Sequence, residues 1–268
     1  MNLVTSPAHE ESGTRGTATL ECRDVLVRYG AQRAVDGVSL VFAPGSVTGI
    51  IGPNGAGKSS LLNVLAGSLR PDAGRLFLDR RDISRWPPFR RARAGLVRTF
   101  QGARVFADLS VLDNLLVAVP DHRGDQFVSA VIGARSWQRQ ERREVDRARH
   151  LLAEFDLTRL AHERAGNLSG GQQKIVEYLR ALMAEPRVLL LDEPSSGMAP
   201  PIVEHLRSDL ARLAGSGCCV IVIEHEMGLV QAVCERVVGM ANGEVIVDGD
   251  FSTAVGNEFL QAAYIGRR

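Results

Sequence analysis

Apolar positions along this chain fall into three rhythms. Leu20 to Tyr29 alternates loosely and Val38 to Phe42 is a second short run, so each predicts a short strand. Val47 to Ile51, Val188 to Leu191 and Cys218 to Ile223 are compact and continuous, as in strands buried on both faces of a parallel sheet. Helical spacing governs Lys58 to Leu69, where Leu61, Leu62, Leu65 and Leu69 share a face. The same spacing returns with Ile175, Val176, Leu179, Leu182 and Met183, and Pro201 to Leu213 reads as a crossover helix. Turn chemistry separates these runs. Pro71-Asp72-Ala73-Gly74 precedes a strand at Arg75 to Leu78, and Asn242-Gly243 predicts a hairpin between Val237–Met240 and Glu244–Val247. From Pro87 to His150 the chain turns Arg-rich and helix-like, with six Arg and three acidic residues between Arg135 and Arg149. The pattern predicts an α/β core with a mostly parallel sheet, split by a mostly helical insertion at residues 88–175. No repeat of 20–50 residues is visible in it.

Composition narrows the functions open to such a core. Among 268 residues, 32 Lys and Arg stand against 31 Asp and Glu, a net charge of +1, so no overall field draws nucleic acid or anionic lipid. Aromatic residues at 5% argue against base-stacking as the main activity. The longest apolar run, Cys218 to Ile223, is far shorter than the ~18 residues of a membrane span. Residues 1–18 lack the apolar stretch of an export signal and read as a mobile tail. Cys22, Cys218, Cys219 and Cys234 form no CxxC pair and read as buried, reduced thiols of a cytosolic protein.

The chemistry concentrates in three places. Gly52-Pro53-Asn54-Gly55-Ala56-Gly57-Lys58-Ser59 satisfies GxxxxGK[ST] between an apolar strand and an amphipathic helix, the context a phosphate-binding loop requires. Its glycines let backbone N–H groups turn inward as an anion nest at a helix N-terminus. Lys58 is suited to the β- and γ-phosphates, and the Ser59 hydroxyl to Mg²⁺. Second, the run Val188–Leu191 ends in Asp192-Glu193, which sets two carboxylates at the carboxyl edge of the sheet. Asp192 suits a magnesium ion and Glu193 a base for an attacking water. Third, Leu168-Ser169-Gly170-Gly171-Gln172 opens a helix, with Ser169 as N-cap and open backbone N–H groups for a second anion contact.

With that pentapeptide beside a phosphate loop, the sequence resembles the ATP-binding cassette (ABC) ATPases over about residues 18–250. The resemblance implies an ABC-type P-loop core at 19–250, with an N-terminal antiparallel β subdomain, an inserted helical subdomain and a C-terminal helical tail at 251–268. It implies ATP and Mg²⁺ as ligands, bound through residues Gly52 to Ser60 and Ser169 to Gln172. Position by position, Tyr29 matches the aromatic that stacks on adenine. Gln101, in Arg98-Thr-Phe-Gln101, matches the glutamine that touches Mg²⁺ and the attacking water and links to the membrane subunit. His225 matches the switch histidine at the γ-phosphate. One position departs from the pattern: Ala199 stands where the family has an aspartate, in the segment thought to couple two sites across a dimer.

The resemblance further implies a second ATPase subunit, homologous or identical, whose signature segment completes the phosphate site. Arg98–Phe106 with Leu109–Leu116, Ile223–Val230 and Ala263-Tyr264-Ile265-Gly266 are similar to the branched-chain amino-acid uptake ATPases, as is a long insert near Pro120 to Trp137. That family works at the cytoplasmic face of the membrane, with integral permease subunits and, indirectly, a substrate-binding protein. The lipopolysaccharide-export ATPase and urea or amide uptake ATPases share several of these features. A soluble ABC ATPase outside transport, such as an iron–sulfur assembly factor, is the reading from another class.

Overall fold

The structure is a computed structural model that describes residues 18–100, 102–120 and 134–265, with side chains of the last segment described from 139. The N-terminal tail, the insert at 121–133 and the last three residues lie outside the described residues.

β1 (Leu20–Tyr29) and β2 (Gln32–Phe42) form a hairpin, and β4 (Ala73–Leu78) and β5 (Arg81–Asp82) complete a four-stranded antiparallel sheet in the order β2-β1-β4-β5. The second sheet is the core. It holds β3 (Val47–Ile51), β6 (Leu96–Arg98), β7 (Val188–Asp192), β8 (Cys219–Ile223), β9 (Arg236–Ala241) and β10 (Glu244–Gly249), in the order β10-β9-β3-β8-β7-β6. All its neighbours are parallel except β10, which folds back on β9 through Asn242-Gly243.

Continuous apolar strands here serve two different cores. Val47, Ile51, Leu189, Leu191, Val220 and Val222 face one cluster, and Ile50, Val188, Leu190, Ile221 and Ile223 face the other. The first cluster is covered by α3 (Val111–Leu116), α4 (Ala134–Glu154), α5 (Gly170–Met183), α6 (Pro200–Gly215) and α7 (Met227–Val233). The second packs α1 (Lys58–Ala66) between the two sheets. Because side chains alternate faces, a strand buried on both sides is apolar at nearly every position. α8 (Phe251–Val255) and α9 (Glu258–Ile265) end the described chain, with Leu260 buried against Gly239 of β9.

Several boundaries differ from the sequence reading. α1 stops at Ala66, before Leu69, because Gly67 adopts a left-handed C-cap and donates to Asn63 and Val64. β2 starts at Gln32, well before the apolar run, because pairing with β1 holds its polar half. β6 lies inside the range 88–175 assigned to the helical insertion, yet pairs with β7 as a strand of the core sheet. Just before it, α2 (Pro88–Arg93) carries Arg91, which is 1% exposed and donates to the Val64, Leu65 and Ile83 carbonyls. A guanidinium thus caps the carbonyls at the end of α1, from within the stretch that reads only as Arg-rich and helix-like.

All four thiols are free and buried, and burial raises Cys22 to about 11 and Cys218, Cys219 and Cys234 to about 12. α6 begins without a side-chain cap, since its N-cap is Ala199, followed by Pro200 and Pro201. Ala199→Asp is expected to supply that cap and stabilise the fold by about 1 kcal/mol. Its urea midpoint should rise with an unchanged slope; an unchanged midpoint would mean that the aspartate does not cap.

Candidate active site

The phosphate loop is a strand-to-helix turn locked by its neighbours. It leaves β3 at Ile51, and Gly57 begins α1 as a left-handed N-cap with φ 100°. A Cβ at Gly57 would lie 2.1 Å from the Ala34 carbonyl oxygen of β2, and one at Gly52 would lie 2.1 Å from the Met240 oxygen of β9. Only hydrogen fits between these backbones, so glycine at both positions seats the loop against the two sheets. The β9–β10 turn closes the ring: Gly243 N–H donates to Ala56 and Asp36 N–H donates to Gly243.

Lys58, 6% exposed, donates from Nζ to the Gly52 and Pro53 carbonyls at 2.6 and 3.1 Å. Burial lowers its pKa, and Glu193 and Asp192 oppose that shift. Ser59 is exposed on the first turn of α1, as are Asn54 and Gly55 on the loop. Pro53 and Ser60 are half-buried and Ala56 is buried.

Asp192 ends β7 with 3% exposure. Its Oδ2 pairs with Arg98 Nη2 at 3.1 Å, and Arg98 Nη1 donates to Asn63 Oδ1 at 2.5 Å. Oδ1 is buried without a hydrogen-bond partner. Burial raises the Asp192 carboxyl above its usual range, and Arg98 opposes the shift. Arg98 was legible only as part of the segment leading to Gln101; nothing in its spacing announced an ion pair with Asp192.

Glu193 leaves the strand in a left-handed conformation, φ 49°, rare for a residue with a Cβ. Its N–H still donates to Ile223 of β8 at 2.9 Å, and Lys174 Nζ of α5 donates to its carbonyl at 3.2 Å. Its Oε1 lies 3.1 Å from His225 Nε2. Strain of this kind costs roughly 1–3 kcal/mol and concentrates at functional sites.

Ser169 and Gln172 close a full capping box, each side chain bonded to the other's backbone N–H. A Cβ on Gly171 would lie 2.6 Å from the Gly197 oxygen, so α5 starts tightly against the segment after Glu193. Among the described residues, no hydrogen bond joins Ser169, Gly170, Gly171 or Gln172 to the phosphate loop. The structure therefore brings together Lys58, Asp192, Glu193 and His225, and leaves the signature residues outside that cluster. Tyr29 is 55% exposed at the β1–β2 hairpin, whose second strand runs over Gly57. Gln101 lies outside the described residues.

Strand order, phosphate loop and strand-end carboxylates together define a P-loop ATPase. The family model "ABC transporter" matches residues 35–196. The chain is 36% identical over 248 residues, 92% of its length and 97% of the relative's, to the high-affinity branched-chain amino acid transport ATP-binding protein BraF of Pseudomonas aeruginosa. It is 35% identical over 249 residues, 93% of its length and 98% of the relative's, to the lipopolysaccharide export system ATP-binding protein LptB of Escherichia coli. A solved nucleotide-free ATP-binding cassette from an ABC transporter superimposes with a TM-score of 0.78 at 32% identity, covering 94% of this chain and all of that one. The chain belongs to the ABC transporter family as an ATP-binding subunit, an ATPase whose hydrolysis is coupled to transport.

Proposed function

We propose that this ATPase drives uptake of branched-chain or other hydrophobic amino acids, from the cytoplasmic face of the membrane. The observation that carries the substrate class is the end-to-end likeness to BraF, 97% of whose length is covered. Among the described residues no helix is long and apolar enough to cross a membrane, so in this reading the translocation path lies in separate permease subunits. A substrate-binding protein delivers the amino acid to them. The working unit is a dimer in which Ser169, Gly170, Gly171 and Gln172 of each subunit close over ATP held by the other. Their distance from their own phosphate loop's hydrogen-bond network supports that arrangement.

Within one site, Tyr29 stacks on adenine, and the loop amides from Gly52 to Ser60 cradle the phosphates. Lys58 exchanges its two carbonyl partners for phosphate oxygens. The donor set fits magnesium: a buried carboxylate oxygen on Asp192 lacks a partner, and Ser59 offers an exposed hydroxyl. Asp192, Ser59 and Gln101 would hold the ion, which when bound neutralises charge on the β- and γ-phosphates. Glu193 orients the attacking water and takes its proton as the bond to the leaving ADP oxygen breaks. His225 holds Glu193 in place and contacts the γ-phosphate.

The likeness to LptB favours lipopolysaccharide export as a second reading. Co-expression with permease subunits of the amino-acid uptake type or of the lipopolysaccharide export type, followed by reconstitution in proteoliposomes, separates the two. ATP-dependent accumulation of labelled leucine, lost on Lys58→Ala, is the expected result. Release of lipopolysaccharide without leucine accumulation would overturn the importer reading.

A further inference from the structure

Glu224 follows β8 and is 2% exposed, a carboxylate closed into the end of an apolar sheet. Among the described residues no lysine, arginine or histidine side chain pairs with it. An ion so placed is expensive unless hydrogen bonds replace its water. Three backbone N–H groups do so: Ser195 donates to Oε1 at 2.9 Å, and His225 and Glu226 donate to Oε2 at 3.0 and 3.4 Å. The two oxygens thus serve two different loops.

β7 and β8 run parallel with Asp192 opposite Ile223, and beyond that pair the ladder ends. One chain continues through Glu193 to Ser195, the other through Glu224 to His225. Bridges among the described residues cross the gap. Glu193 N–H still reaches Ile223 O, and Glu193 Oε1 meets His225 Nε2. The Glu224 carboxylate is the third link, bonded to the backbone on both sides. The segment it holds at Ser195 also receives α5, through Gly171 against Gly197 and Lys174 on the Glu193 carbonyl.

We propose that Glu224 is a positioning residue for hydrolysis, a carboxylate clamp that sets the spacing between Glu193 and His225. It touches neither phosphate nor water itself, and the inference rests on the roles assigned to those two residues above. Only a group with two acceptor oxygens can serve both loops. Glutamine offers one acceptor and turns an NH₂ towards a backbone N–H, so one loop is released while the side chain's volume is kept.

The test uses the purified full chain and compares Glu224→Gln, Glu224→Asp and Glu193→Gln for kcat, nucleotide Kd and Tm. Glu224→Gln is expected to lower kcat about tenfold or more, because small misplacements of reacting groups cost that much. Its Kd for a fluorescent ATP analogue should stay within about twofold, since Lys58 and its loop are untouched. Glu224→Asp, with both acceptors one methylene shorter, should fall between the two and carries the test if the glutamine variant does not fold. On a His225→Ala background, Glu224→Gln should cost less than about threefold, because the partner it positions is gone. A kcat within about twofold of the parent for both Glu224 variants, or the same fold-loss on both backgrounds, would overturn the clamp. If Glu193→Gln itself hydrolyses ATP at the parent rate, the assignment of the site falls, and the clamp with it.

Discussion

Glu193→Gln is expected to slow ATP hydrolysis by about 10²–10⁴-fold, some 3–5 kcal/mol of barrier, while nucleotide binding persists. Glu193 is the strand-end carboxylate within reach of a histidine, 3.1 Å from His225 Nε2, and it sits beside a loop built for phosphates. The neutral amide keeps the shape and the left-handed backbone but cannot accept a proton from water. Lys58 and the loop amides are unchanged, so ATP should bind and remain. With hydrolysis stalled, the proposed two-site dimer should persist, and a sizing column run in ATP and magnesium should show it. Turnover within about tenfold of the parent would remove Glu193 from the role of base. A strictly monomeric profile would count against the dimer and leave the base assignment standing.

Gly57→Ala should be, with Gly52→Ala, among the most damaging single methyl groups in the described residues. Its Cβ would meet the Ala34 oxygen at 2.1 Å, and the residue sits at φ 100°, where side chains are strained. Overpacking and left-handed backbone together suggest about 2–5 kcal/mol lost from stability. At this chain length each kcal/mol shifts Tm by about 2–4 °C, so a fall of roughly 4–20 °C is expected. Lys58 follows directly, and moving the start of α1 away from β2 should also weaken nucleotide binding by about tenfold or more. Gly30→Ala is the comparison. Gly30 shares a positive φ of 61° but has nothing within 4 Å of a Cβ, so only the backbone cost of about 1–2 kcal/mol applies. Equal effects at the two positions would show that close approach to β2 is unimportant.

The parts of this fold that could be read in the sequence are those in which local chemistry and tertiary context agree. β3, β7 and β8 are apolar at nearly every position, Thr48 and the strand-end Asp192 apart, because two cores claim them, and α5 carries both its cap and its buried face in seventeen consecutive letters from Leu168 to Ala184. The phosphate loop announces itself because its glycines and lysine are adjacent. β6 could not be read. Three residues, Leu96 to Arg98, are too few for a period, and pairing with β7 decides their conformation. Arg91 and Arg98 were indistinguishable from surface arginines until their partners, far away in sequence, came into view. Glu224 gave no signal for the same reason: its bond to Ser195 spans 29 positions. Tyr29 had meaning only through the family, since the structure places it simply at an exposed hairpin.

The four buried thiols have a practical consequence. A thiolate is the reactive form, and groups raised to about 11 or 12 and sealed from solvent hold almost none of it at neutral pH. The native protein is therefore expected to react little with maleimide dyes and spin labels, which a thiol titration of the folded chain checks. One cysteine placed at an exposed position away from the phosphate loop, such as Glu204 or Glu258, becomes the sole address for a probe, with no native thiol removed. The proposed closing and opening of two subunits around ATP can then be tested as a distance on an otherwise unaltered chain.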